Sequence, residues 1–440
     1  MTSNFSATLP SPKFSALLPF ALFLLLFLGT GIYFTVQGVE YAFYQLPANI
    51  AIIPAIFLAL YLGKETLNEK VSQFIQGAGH ENIITMGVIY LLAGAFATVA
   101  KATGSVDASV QLGLAIFPDF LLLPGLFLVS AFLATAMGTS MGTIAAVAPI
   151  ALGLVETTEI NAGLVAGVIM SGAIFGDNLS IISDTTIAST RSQGAHMKDK
   201  FRANFKIALP AAIICLCIFA FLAPSIAPPS TSDISVLGLL PYILILLLAL
   251  LGVNVFLVLV IGIIAAAAIG MMQVNYQVSV WLSDINQGFA AMQEIFILAL
   301  FIGGLSELVK RQGGLDALTQ AIEKITNKLS KNNPRIAAGM GIGGLAFFAN
   351  FFTANNTVAI IVSGETAKNL AQDADLTPAQ SASLLDIFAC INQGLIPYGA
   401  QALLLGATMK ISPIEIISFA FYPMILLVVA IVSFRKMIRA

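Results

Sequence analysis

The sequence predicts an all-α polytopic membrane protein made of two inverted-topology repeats, each with about five crossings plus one re-entrant hairpin with broken helices. Three observations carry this expectation. Hydrophobic residues are 58% of the 440 residues and charged residues 10%, with a mean hydropathy of +0.94, whereas a soluble domain carries about 25% charged residues. Several apolar runs reach the roughly 20 residues a helix needs to cross a bilayer. Finally, Gly94, Lys101, Gly104, Asp107 and Gln111 are matched by Gly303, Lys310, Gly313, Asp316 and Gln320, each 209 positions later.

In chain order the apolar spans read as residues 14–35, 46–63, 82–100, 160–190, 203–223, 234–251, 253–272, 293–309, 379–409 and 413–434. Only Lys13 and no small-residue cleavage site accompany the first, so it reads as a retained helix rather than a signal peptide. Two longer segments, 118–155 and 335–369, break midway at GTSMGT (138–143) and FTANNT (352–357). Each leaves arms of about 12–18 residues, short of a full span, which fits hairpins that dip into the membrane under a protein cover. Amphipathic stretches around 64–80 and 274–291 are expected along the interface, and 191–206 as a solvated cytoplasmic connector.

The basic residues test this count. With ten crossings, two hairpins and a cytoplasmic N-terminus, every Lys and Arg of the 20 except Lys101 and Lys410 falls on the cytoplasmic side. Counting one hairpin alone as a crossing would put later basic clusters on the wrong side. Residues 1–223 and 234–440 then form N- and C-terminal transmembrane repeats joined by a linker at 224–233. An odd number of crossings per repeat inverts one half against the other. Gln76-Gly77 also matches Gln287-Gly288, Thr139 and Thr143 match Thr353 and Thr357, and Leu179 pairs with Leu395.

Polar residues concentrate where the helices break. The stretch 176–186 (GDNLSIISDTT) follows directly on an apolar run and places two carboxylates at membrane depth, with no Lys or Arg in the same stretch. An acidic side chain costs roughly 2.5–3.5 kcal/mol at the bilayer centre, so such a pair points to function. Broken helices expose carbonyls at their C-ends and N–H groups at their N-ends, the first suited to cations and the second to anions. The candidate ion- or substrate-binding residues of the first half are Thr139, Ser140, Thr143, Asp177, Asn178, Ser180, Ser183, Asp184 and Thr185. Those of the second half are Thr353, Asn355, Asn356, Thr357, Asn392, Gln393 and Gln401.

Blander readings compete with each of these. Ser and Thr in membrane helices usually bond their own backbone, and the glycines serve close helix packing. Asp386 reads either as a helix-packing carboxylate paired with a hydroxyl or as a transport residue. Glu307 and Glu365 lie at predicted span ends, within reach of water. Cys215, Cys217 and Cys390 lie in apolar runs and His80 and His196 in connectors, with no metal-ligating spacing among them. For Asp177 and Asp184 burial favours the protonated form and a bound cation the ionised form, so proton and cation compete.

GTSMGT followed by an apolar arm containing Pro149, and then SGAIFGDNLSIISDTTIAS at 171–189, resemble the NhaC-type Na+/H+ antiporter family of the ion-transporter superfamily. The second match is specific, since the family pattern runs closely as S-G-A-x-F-G-D-x-x-S-x-x-S-D-T-T, and the resemblance extends over most of the chain. It implies a Na+-linked secondary transporter, with Asp177, Asn178, Ser180, Ser183, Asp184 and Thr185 as the binding region and Asp177, Asn178 and Asp184 holding Na+. The second half departs from the family at LLDIFACINQGLIPYGAQALLLGA (384–407), rich in neutral amides plus Tyr398, and looks like a divergent branch.

The leading expectation is therefore a Na+/H+ antiporter working by alternating access. The alternative is a Na+- or H+-coupled transporter of an amino acid or small organic acid. An enzyme is not expected, since H-E-x-x-H and Walker A sequences are missing from the chain. The expected partners are Na+, protons and the lipid bilayer, with a small organic solute under the alternative. No cofactor is expected beyond Na+ as transported or coupling ion, and a net charge of −2 gives no sign of nucleic acid. The resemblance implies a bacterial inner membrane location with both termini cytoplasmic, and by analogy a homodimer.

Overall fold

Helices form wherever the apolar runs lie, and their ends follow local chemistry. The computed structural model describes residues 12–39, 42–116, 118–158, 160–224, 235–273, 276–330 and 333–437, so most of the linker expected at 224–233 lies outside the described residues. The chain begins with α1 (Leu18–Val36), followed by α2 (Ala48–Ala51) and α3 (Ile53–Tyr61), separated at Ile52 just ahead of Pro54. Next come α4 (Leu67–Ala78), opened by a capping box between Thr66 and Glu69, and α5 (Glu81–Ala102). Gly104, at φ +74°, turns the chain into α6 (Ser105–Ile116).

The first break separates α7 (Asp119–Met137) from α8 (Ser140–Thr158), and the second separates α9 (Ala162–Leu179) from α10 (Asp184–Gln193). Helix α11 (Met197–Leu222) follows, and α12 (Val236–Leu250) and α13 (Val255–Gln273) open the second half. Helix α14 (Val278–Arg311) joins α15 (Gly314–Ser330), after which α16 (Pro334–Thr353) and α17 (Asn356–Asp373) flank a third break. The fourth lies between α18 (Pro378–Gln393) and α19 (Ala400–Met409), and α20 (Pro413–Ser418) and α21 (Phe421–Met437) close the chain. Among the described residues every regular element is helical, and nine helices are long and apolar enough to cross a membrane. This is a multi-pass α-helical membrane protein.

Several expectations need correction. The hairpin arms are full helices of 19, 19, 20 and 18 residues rather than short ones. Among the described residues, the stretch at 274–291 is no separate element; from Val278 it runs without interruption into the next span, giving a helix of 34 residues. The segment 191–206 is no solvated connector, since α11 starts at Met197 and buries both Lys200 and Asn204.

The broken elements sit innermost. Almost every residue of α9, α18 and α19 is buried, whereas α1 and α13 turn large apolar side chains such as Leu25, Ile32, Phe256 and Ile264 outward. Irregular backbone is thereby sheathed in protein, as a low-dielectric surround demands. Glycines allow the closest approaches. A Cβ at Gly77 would collide with the Gly303 carbonyl, and one at Gly94 with the Gly288 carbonyl, so α4–α5 and α14 pack backbone to backbone.

Candidate functional site

Asp177 is placed by the packing of α9 on α7. A Cβ at Gly172 or Gly176 would collide with the carbonyls of Phe127 and Ala131, so the two glycines, one turn apart, bring the backbones together. Helix α9 then stops, and side chains take over its end. The Thr135 hydroxyl donates to the Gly176 carbonyl (3.3 Å), Asn204 Nδ2 to the Asn178 carbonyl (2.9 Å), and the Thr186 hydroxyl to the Ser180 carbonyl (2.7 Å). The break is a set of satisfied carbonyls held at a fixed position.

The tips of both hairpins meet Asp177 at a cavity of about 100 Å³. Its walls include Thr139 and Ser140 from the first tip, Asn355, Asn356 and Thr357 from the second, Asp184 and Thr185 from α10, and Gln401 from α19. Asp177 is buried, with 5% of its surface exposed. Its Oδ2 accepts from the Ser140 hydroxyl (2.7 Å) and from the Ser140 backbone N–H (3.4 Å). The Ser140 oxygen in turn accepts from Gln401 Nε2 (2.9 Å), whose Oε1 accepts from Gln393 Nε2 (2.6 Å). A relay of neutral donors thus runs from the second half into one carboxylate of the first. The first turns of α8, α10, α17 and α19 all contribute lining residues, so four positive helix ends surround the cavity.

Asp184 differs from Asp177. It lines the cavity but is exposed, together with neighbouring Ile181 and Ile182, so it stands at the mouth rather than at buried depth.

A second polar cluster lies behind α9. The ammonium of Lys200 is 2.8 Å from Asp386 Oδ2, and the two side chains are 1% and 0% exposed. The same ammonium donates to the Thr186 hydroxyl (2.6 Å) and to the Asn178 carbonyl (3.3 Å). Asp386 Oδ2 also accepts from Asn178 Nδ2 (3.1 Å) and Asn204 Nδ2 (2.7 Å). The carboxylate thus pairs with an ammonium and two amides, not with the hydroxyl expected from the sequence. Breaking such a buried pair on one side only is strongly destabilising.

The remaining candidates divide. The Thr143 hydroxyl donates to the Thr139 carbonyl of its own helix region (3.2 Å), and the Ser180 hydroxyl to the Thr135 carbonyl (2.9 Å). Ser183 caps α10 through the Thr186 N–H (3.2 Å), and Thr353 braces its tip against Asn355. These four organise the breaks and are not among the cavity-lining residues. Asn392 is buried with its Oδ1 unpartnered among the described residues, also away from the cavity. Sequence reasoning missed Asn82, Thr85, Met86 and Ile89 of α5, which line the cavity, and Lys200 and Asn204 of α11. A signal for the last two was present: the buried stripe Phe219, Cys215, Ala211 and Ala208, stepped back by three or four residues, runs through Asn204 and Lys200.

The profile of the Na+/H+ antiporter family matches residues 13–223 and 227–436. The chain is 24% identical over 419 residues to the Na+/H+ antiporter NhaC of Alkalihalophilus pseudofirmus, covering 86% of this chain and 87% of that protein. It is 24% identical over 428 residues to the malate-2H+/Na+-lactate antiporter of Bacillus subtilis, covering 89% of each. It is 22% identical over 385 residues to the arginine/ornithine antiporter ArcD of Halobacterium salinarum, covering 79% of this chain and 78% of that one.

Proposed function

Because this chain belongs to the Na+/H+ antiporter family, we propose that it exchanges Na+ for protons by alternating access, with Asp177 as the carboxylate for which the two ions compete. The observation that carries this reading is the size and lining of the cavity. About 100 Å³ holds a small cation with a few waters and lies well below the about 300–1,000 Å³ of pockets that take drug-sized ligands. Asp177 supplies the charge, while Thr139, Ser140 and Asn356 supply neutral oxygens around it. The Ser140 hydroxyl and backbone N–H fix the Asp177 carboxylate in position. Asp184 at the mouth collects cations, and Asn178, the other expected Na+ ligand, acts from behind through Asp386.

The halves are inverted repeats that rock about α5 and α14. Gly77 and Gly288 are sequence counterparts, as are Gly94 and Gly303, and the contacts run Gly77 to Gly303 and Gly94 to Gly288. Partners exchange as a two-fold axis requires, and the helices run antiparallel, which for spanning helices lays that axis in the membrane plane. The one-sided distribution of Lys and Arg supports a bacterial inner membrane placement with both termini cytoplasmic.

A second reading is transport of a small organic acid or amino acid coupled to Na+ or H+. Four helix N-ends on one cavity also suit a carboxylate, and relatives are named for malate and lactate and for arginine and ornithine. Proteoliposomes loaded with a pH-sensitive dye separate the two. A Na+ pulse alone should change lumenal pH under the first reading; proton movement that requires an added organic acid or amino acid would transfer the assignment to the second.

A further inference from the structure

The Lys200 ammonium occupies a setting built for a cation. Three oxygens of different kinds surround it: a carboxylate (Asp386 Oδ2, 2.8 Å), a hydroxyl (Thr186, 2.6 Å) and a helix-end carbonyl (Asn178, 3.3 Å). An ammonium has three N–H donors, and these three contacts use them all. Two further buried oxygens, Asp386 Oδ1 and Asn204 Oδ1, have no hydrogen-bond partner among the described residues. The residues of this cluster thus carry acceptor oxygens that the lysine leaves unfilled. Helix-end carbonyls gathered with carboxylate and hydroxyl oxygens are the donor set that broken membrane helices use for Na+.

We infer that Lys200 is a tethered cation filling a second Na+ site, made by Asp386, Thr186 and the Asn178 carbonyl, and that deleting its ammonium opens that site to one additional Na+ per protein. This inference deepens the antiporter reading and rests on it. The two sites are adjacent, since Asn178 follows Asp177 in α9 and bonds Asp386 across the boundary between halves. With Lys200 in place, only the Asp177 cavity exchanges its cation. The lysine thus limits the number of ions moved per cycle.

The test counts bound 22Na+ per purified full-length protein at saturating Na+ for three proteins: the wild type, Lys200→Ala, and Lys200→Ala with Asp386→Asn. The expected result is one more ion in Lys200→Ala than in the wild type, with the extra ion abolished in the double variant. Equal counts in folded wild type and Lys200→Ala would overturn the inference. Should Lys200→Ala be unstable, its melting temperature should climb with Na+, or with methylammonium as a stand-in for the missing amine, while that of the double variant does not. A melting temperature indifferent to both cations would equally overturn it. Wild type that binds no Na+ would instead contradict the antiporter reading, and the difference between variants still decides the role of Lys200.

Discussion

Replacing Asp177 with Asn removes one charge and almost no volume, which makes it the sharpest perturbation of the cavity. Asp177 is the one carboxylate buried in the cavity wall, and its contacts there, Ser140 and through it Gln401, are neutral. A cation about 4 Å from a carboxylate at an effective dielectric of about 20 gains about 4 kcal/mol. At 1.4 kcal/mol per factor of ten, Asp177→Asn should weaken Na+ affinity roughly a thousandfold. Asp184 stands exposed at the mouth, where the same separation in water is worth about 1 kcal/mol, so Asp184→Asn should raise the Na+ concentration for half-maximal exchange only about fivefold. The assay is initial exchange rate against Na+ concentration in proteoliposomes, with circular dichroism confirming the fold. An Asp177→Asn protein whose Na+ dependence lies within a few-fold of wild type would refute the reasoning, as would a larger loss at Asp184 than at Asp177.

Other outcomes follow from the packing. Lys200→Ala leaves Asp386 buried without its ammonium and should cost about 3–5 kcal/mol, while the combined Lys200→Gln and Asp386→Asn change should be far milder; thermal unfolding in detergent compares them. Gly176→Val would drive a side chain into the Ala131 carbonyl and should destabilise by about 1–3 kcal/mol, with exchange falling more than expression because Asp177 is displaced. At α4, outside the spanning helices, the Thr66 backbone N–H and then its hydroxyl hold the Glu69 carboxyl below the usual range. The cap therefore contributes fully above the ordinary carboxylate pKa and is lost as pH falls through the lowered value. Protection factors of the amides at Leu67 to Lys70, corrected for the intrinsic pH dependence of exchange, should fall on acidification in wild type and not in Glu69→Gln.

Much of this architecture is legible in the sequence because lipid imposes a simple rule on apolar length. The span read at 234–251 is the helix Val236–Leu250, and the breaks at 138–143 and 352–357 fall where α7 and α16 end. What escaped depended on long-range contacts. Lys200 lies among exposed Lys198, Asp199 and Arg202, so its local composition reads as solvated, and only Asp386, 186 positions away, explains its burial. Asp184 looked as buried as Asp177 because both follow one apolar run, yet the chain leaves the helix at Ser180 and surfaces at Ile181.

The most direct test of the central claim is 22Na+ accumulation in proteoliposomes with an imposed pH gradient and the membrane potential clamped to zero. The account predicts that Na+ accumulates above its external concentration when the lumen is acidic, that it does so without any organic solute, and that Asp177→Asn abolishes it. Na+ that only equilibrates, whatever the pH gradient, would contradict exchange and mark the protein as a passive path.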